Sequence, residues 1–164
     1  MRYFRKSDGF SLVELILTVV ILAVIAAVSI PKFFNQSTFD ERFFSDDVLA
    51  ATRYASKLAI ASGCSVRLSI NASGYQLDQD SNCDFTSPNF NISVQRPDDN
   101  IAYSNTDVPS SVTINASEAV LIYRPNHQVV NNSGTVLNTF TIQLNGQISR
   151  QITIYGNSGY AISG

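Results

Sequence analysis

Glu14 is the residue whose chemistry most needs explaining. Phe10 to Ile30 reads FSLVELILTVVILAVIAAVSI, and Glu14 is the single ionisable side chain in those 21 positions. A carboxylate inside such a run costs about 2.5 to 3.5 kcal/mol on membrane-insertion scales, so it needs a partner or a purpose. Two chemistries are open to it. In Ser11-x-x-Glu14 it fits a capping box, bonding back to the first amides of a helix. Alternatively it is half of an ion pair whose cation comes from elsewhere. The other reactive residues are few. Cys64 and Cys83 are the only cysteines and are too far apart for a Cys-x-x-Cys redox pair, so one disulfide is expected if the compartment is oxidising. Asp78, Asp80 and Asn82 carry the first, third and fifth oxygens of a calcium loop, and Asp84 adds a carboxylate. Cys83 and Asn89 stand where such a loop needs Gly and Glu, so no metal is assigned to these four candidates. His127 is the lone histidine, and neither a Ser-His-Asp triad nor a His and Cys zinc site can be assembled around it. No catalytic constellation and no cofactor are expected.

These residues need elements to hold them. At about 1.5 Å per residue a helix over Phe10 to Ile30 is about 31 Å long, matching a hydrocarbon core of about 30 Å. Arg2, Arg5 and Lys6 precede it against a lone Asp8, a flank that the positive-inside rule holds in the cytoplasm. A secretory signal peptide cut near Ala27-Val28-Ser29 is the competing expectation, but this run exceeds the usual apolar length of such signals and carries a carboxylate.

The stretch Gly9-Phe10-Ser11-Leu12-Val13-Glu14-Leu15, behind a short basic leader and ahead of an unbroken apolar run closed by Pro31-Lys32, resembles the processing and methylation site of type IV prepilins and of type II secretion pseudopilins. The resemblance implies a leader over 1–9 cleaved after Gly9 by a membrane prepilin peptidase, N-methylation of Phe10 by the same kind of enzyme, and a retained helix. Gly9 suits a scissile bond entering a narrow cleft, because it lacks a side chain. Cleavage would leave Phe10 with a cationic amine, and in a filament the Glu14 of a neighbour could meet it.

Beyond the span, Phe44, Val48, Ala51, Ala55 and Leu58 are spaced 4, 3, 4, 3, an apolar stripe along a second helical stretch. Asp40, Glu41, Asp46, Asp47, Arg53 and Lys57 fall mostly elsewhere on the wheel. Pro31 predicts a kink or local unwinding between the two stretches, and Gly63 a helix stop. After Gly63 the period becomes two. Strands are expected at Val66 to Ile70, Tyr75 to Leu77, Phe90 to Gln95, Val112 to Asn115 and Ala119 to Tyr123. Thr139 to Leu144 and Gln147 to Tyr155 flank Asn145-Gly146, a type I′ turn signal, and a short strand follows at Tyr160 to Ile162. Arg96 to Pro109 and Arg124 to Asn138 read as loops. The expected organisation is a leader over 1–9, a transmembrane and assembly helix over 10–31, an amphipathic helix over 32–63, and a β-rich periplasmic or extracellular domain over 64–164. The fold class is α+β, a long N-terminal helix packed on an antiparallel sheet, which also resembles pilin architecture. Arg53 to Ala61 followed by Val66 to Ile70 is similar to the H-type pseudopilins of type II secretion, and Phe44 to Cys64 to minor pilins of mannose-sensitive haemagglutinin (MSHA) pili.

Composition narrows the partners. The 164 residues are 45% hydrophobic and 15% charged, enough for one domain with an appendage. Asn, Gln, Ser and Thr supply 53 residues, so the solvent face is polar without being charged, as suits an extracytoplasmic protein. Net charge is -2, and -4 for the side chains that follow Gly9, which disfavours nucleic acid. The expectation is a structural subunit, a minor pilin or pseudopilin in the bacterial inner membrane before assembly and in a filament afterwards. Its expected partners are other pilin subunits, a prepilin peptidase and methyltransferase, and the inner membrane. The alternative is an adhesin-like subunit recognising a surface, a glycan or, less favoured by charge, DNA.

Overall fold

A computed structural model describes residues 11–33 and 36–164, with side chains described over 11–26 and 37–164. The chain forms two compact units, one reaching to Gln36 and the other running from Ser37 to Gly164. The first contains α1, Leu12–Phe33. Its described side chains, Leu12 through Ala26, are all exposed. A helix whose described side chains are apolar on every side and covered by no other described residue is suited to surroundings other than water. Among the described residues no helix is long and apolar enough to cross a membrane; the described side chains of α1 end at Ala26, short of the roughly 20 apolar residues that a span needs. α1 continues through Pro31 to Phe33, and 34 and 35 lie outside the described residues.

The second unit is built on α2, Gln36–Ser62. Phe44, Val48, Ala51 and Ala55 are buried as their spacing predicts, but Ala59 ends the seam while Leu58 lies half-buried on its flank. Three alanines in that seam let the helix axis approach the strands closely. Gly63 stops the helix with φ +72 and its amide donating to the Ala59 carbonyl at 3.1 Å, the left-handed ending that glycine adopts without strain.

Ten strands follow, all paired antiparallel, in two sheets. The first has the order β3-β2-β1-β6-β7, with β4 also on β2. These are β1 Val66–Asn71, β2 Gly74–Asp80, β3 Phe90–Ser93, β4 Ser104–Asn105, β6 Val120–Tyr123 and β7 Val129–Asn131. The second has the order β10-β9-β8-β5, comprising β5 Thr113–Ala116, β8 Thr139–Asn145, β9 Arg150–Tyr155 and β10 Ala161–Ser163. Alternation sends Val66, Leu68 and Ile70 of β1 and Phe140, Ile142 and Leu144 of β8 inward, and both sets join the α2 seam in one core cluster. Helix on antiparallel sheet is thus the fold.

Three local expectations are corrected. β4 and β7 lie inside stretches read as loops; each is only two or three residues long, too short for an alternating pattern to show. The Asn145-Gly146 turn is wider than a two-residue hairpin, since β8 and β9 last pair at Leu144 and Arg150, and neither residue has the positive φ that type I′ requires. A contact with α2 explains the wider turn.

Candidate functional site

Glu14 lies in the first turn of α1, where a carboxylate faces the positive end of the helix dipole. Ser11 accepts the Leu15 amide through its carbonyl at 3.1 Å, starting the helix. Among the described residues the reciprocal side-chain bonds of a capping box between Ser11 and Glu14 are absent, and Glu14 stands exposed with no partner among them. Thr18, the other polar residue of this part of the helix, returns its hydroxyl to the Leu15 carbonyl at 2.9 Å. Gly9 and Phe10, the expected cleavage and methylation positions, lie outside the described residues.

Everything that fixes the β domain to α2 is polar as well as apolar, and the contacts succeed one another along the helix. Glu41 is buried, although its sequence context places it among solvent-facing charges. It accepts the Ser111 hydroxyl at 2.5 Å and the amides of Gln147 and Ile148 at 3.1 and 2.9 Å. Those amides belong to the β8–β9 turn, which the carboxylate holds open in place of the narrow hairpin. A Cβ at Gly146 would stand 2.7 Å from Glu41 Oε2, so a side chain there would displace the carboxylate from the turn. The Ser111 hydroxyl and the Ile148 amide hold the Glu41 carboxyl below its ordinary value of 4.5, against the opposing effect of burial. A depressed folded-state pKa adds stability above the unfolded value and loses it as pH falls through the folded one. The β8–β9 turn is therefore expected to loosen below about pH 4.5, with Glu41→Gln removing that acid limb and lowering stability at neutral pH; hydrogen exchange of the Gln147 and Ile148 amides against pH checks both outcomes.

Two turns on, Asp47 Oδ2 accepts the Tyr75 hydroxyl at 2.6 Å and the Asn105 amide at 2.8 Å, with the Arg96 guanidinium at 3.4 Å. Arg96 also lies over the Tyr103 ring at 5.0 Å, and Tyr103 stacks on Tyr54 of α2 at 5.1 Å. Burial first, then the neighbouring Asp47 carboxylate, pushes the Tyr75 phenol far above its ordinary value, so it stays a donor. Asp47→Ala is expected to strand these donors and cost about 2 to 3 kcal/mol, read as a lower denaturant midpoint with an unchanged slope. Further along, Arg53 donates through Nε and Nη2 to the Ala161 carbonyl at 3.2 and 3.1 Å, tying β10 to the helix. The exposed Asp46–Arg150 pair at 2.7 Å contributes little. Glu41 falls three residues before Phe44 and seven before Val48; that spacing on the buried stripe was the signal available for its burial.

At the end of α2, Cys64 is disulfide-bonded to Cys83, with Cα atoms 4.5 Å apart and the β1–β2 hairpin enclosed between them. The acidic residues of β2 and of the loop after it are engaged locally. Asp78 takes Arg67 at 2.8 Å and Gln76 at 2.7 Å, and Asp80, buried, accepts the amides of Asn82 and Asn89 at 3.3 and 2.8 Å. Asn82 bonds the Ser87 carbonyl, and Asp84 accepts both the amide and the hydroxyl of Thr86, which hold its carboxyl below the usual range. Among the described residues no cluster of three or more His, Cys, Asp or Glu side chains is placed to hold a metal. The His127 side chain hydrogen-bonds no nucleophile or carboxylate among them, and its backbone adopts φ +71 in the turn after β6.

An apolar, uncovered N-terminal helix with one carboxylate in its first turn, followed by a helix clamped to an antiparallel β domain, is a pilin-like fold. Residues 4–30 match the family described as "Prokaryotic N-terminal methylation motif". Two crystal forms of the Pseudomonas aeruginosa type IV minor pilin FimU are similar in fold, each with a TM-score of 0.50 and 12% identity. The match covers 75% of this chain and 91% of FimU in one form, and 79% and 89% in the other. No curated protein sequence matches the chain.

Proposed function

We propose that the chain is a minor type IV pilin, a structural subunit that enters a filament through its N-terminal helix and aids its assembly. The observation that carries the reading is the contrast between its two units. The β domain completes its own core against α2, whereas the described side chains of α1 remain exposed with Glu14 as their one charge. A helix of this kind is satisfied first by lipid and then by the helices of neighbouring subunits. The chain is cleaved after Gly9 and methylated at Phe10 by a prepilin peptidase and methyltransferase, as the methylation motif over 4–30 supports. Before assembly, the Phe10 to Ile30 run holds it in the inner membrane with the basic flank cytoplasmic. In the filament its Glu14 carboxylate meets the Phe10 amine of a neighbour. The fold likeness to a minor pilin supports the pilus reading, and the H-type and MSHA resemblances rest on short segments of α2 and β1. The role is structural, not enzymatic.

Crosslinking in cells tests the reading. A photo-reactive residue at Phe43, which is exposed on α2, is expected to capture other pilin subunits once the filament machinery is expressed. Capture confined to lipid or to unrelated envelope proteins would overturn it.

A further inference from the structure

The loop that the disulfide holds, Cys83 to Pro88, lies beside the β6–β7 hairpin and leaves two adjoining hollows of about 480 and 310 Å³ that share Phe85 and Arg124 as walls. Phe85 is half exposed, and Pro88 and Pro125 stand beside these hollows. Ile122 and Val130, both buried, line the smaller hollow. Among the described residues the Arg124 guanidinium has no hydrogen-bond or ion-pair partner. Arg53, Arg67, Arg96 and Arg150 are all engaged, while Arg42, which is likewise unpartnered among the described residues, is exposed on α2 away from this lining. The lining also offers the Asn132 amide, which both donates and accepts, and the Thr86 and Ser133 hydroxyls, which donate to Asp84 and Asn131 at 2.7 Å each and remain acceptors.

We infer that this cleft binds a carboxylated saccharide, such as a sialic or uronic acid at the end of a glycan. An unpaired guanidinium is a bidentate receptor for a planar carboxylate. An aromatic face with aliphatic neighbours accepts the apolar face of a sugar ring, and the hydroxyl and amide groups around it match the ring hydroxyls. An extended peptide fits less well, because it would need free main-chain groups along an edge strand. β7 is the edge here, and its amides are already spent: Val129 donates to the Gly156 carbonyl at 2.7 Å and Asn131 to the Thr135 carbonyl at 3.0 Å. The disulfide gives the cleft its shape by fixing the loop that carries Phe85 to the end of α2. Nothing in this binding depends on entry into a filament, so it succeeds or fails separately from the assembly role.

The test uses the full chain, purified in detergent and unassembled, titrated with sialyllactose and with lactose by calorimetry and saturation-transfer NMR. Sialyllactose is expected to bind at least about tenfold more tightly than lactose, the value of one charge-assisted hydrogen bond. Arg124→Gln should bring sialyllactose down to the lactose level, and Phe85→Ala should weaken both sugars. Lys57→Gln, which removes a cation outside the cleft, should change neither. Near-ultraviolet circular dichroism shows that each variant is folded. Equal binding of the two sugars, full binding by the Arg124→Gln variant, no binding by the folded chain, or binding of a peptide carboxylate in place of the sugar would each overturn the inference.

Discussion

Replacing Glu14 with Gln is expected to leave membrane insertion intact and to remove most of the chain's incorporation into filaments. Gln keeps the shape and the hydrogen-bonding capacity of the side chain and loses only the charge. Insertion should be unchanged or easier, because an ion costing about 2.5 to 3.5 kcal/mol has left an apolar run. Assembly should suffer because the Phe10 amine of the neighbouring subunit then lies among apolar helices without its counter-charge. Breaking a buried pair in this way costs about 3 to 5 kcal/mol, and water near the membrane interface reduces the figure. Even the reduced loss corresponds to about a tenfold fall in incorporation, since about 1.4 kcal/mol is a factor of ten. A capping role for Glu14 predicts a nearly silent change, because Gln serves in a capping box almost as well as Glu. The absence of the Ser11–Glu14 side-chain bonds among the described residues already weighs against that role. Filament incorporation, measured beside peptidase cleavage in the same cells, separates the two, and normal incorporation of the Gln variant would sink the ion pair.

The second large effect is expected at the Cys64–Cys83 disulfide. The two residues are 19 apart in sequence, and opening a loop of that size restores chain entropy to the unfolded state worth about 3 kcal/mol. Cys64→Ser with Cys83→Ser should therefore lower the thermal midpoint of the β domain by several degrees. The loss should be local in origin. The α2 seam and both sheets keep their apolar contacts, whereas the loop bearing Phe85 is released from the helix end, so hydrogen exchange should quicken first over 81–89. An unaltered midpoint in the double variant, or free thiols in protein recovered from the periplasmic side, would contradict the staple.

Much of this fold is legible in the sequence because its strongest signals are periodic. The 4-3-4 spacing from Phe44 to Ala55 and the alternation Val66, Leu68, Ile70 report burial directly, since side chains on one face of a helix or strand share one environment. The features that escape are those decided by contacts distant in sequence. Glu41 shares the stripe spacing of Phe44 and Val48, but its charge reads as solvated until the amides of Gln147 and Ile148, more than a hundred residues later, are brought to it. The same contact overrides Asn145-Gly146, whose local preference is a tight hairpin. Asp47 likewise gains its meaning only when Tyr75, Arg96 and Asn105 converge on it from the first sheet and the loop after β3. β7 is hidden because three residues carry almost no alternation, and its place is set by pairing with β6. Glu14 was conspicuous for the opposite reason. Its neighbours are uniform, so a single charge among them stands out without any tertiary information.

The mass of the mature chain from cells that express a prepilin peptidase tests the central claim most directly. A chain that enters filaments through a processed N-terminal helix should begin at Phe10, carry one methyl group on its terminal amine, and retain the whole apolar run to Ile30. A chain beginning at Ile30 would instead show that the run is a discarded secretory signal, and a chain still bearing Met1 to Gly9 in such cells would contradict processing at Gly9.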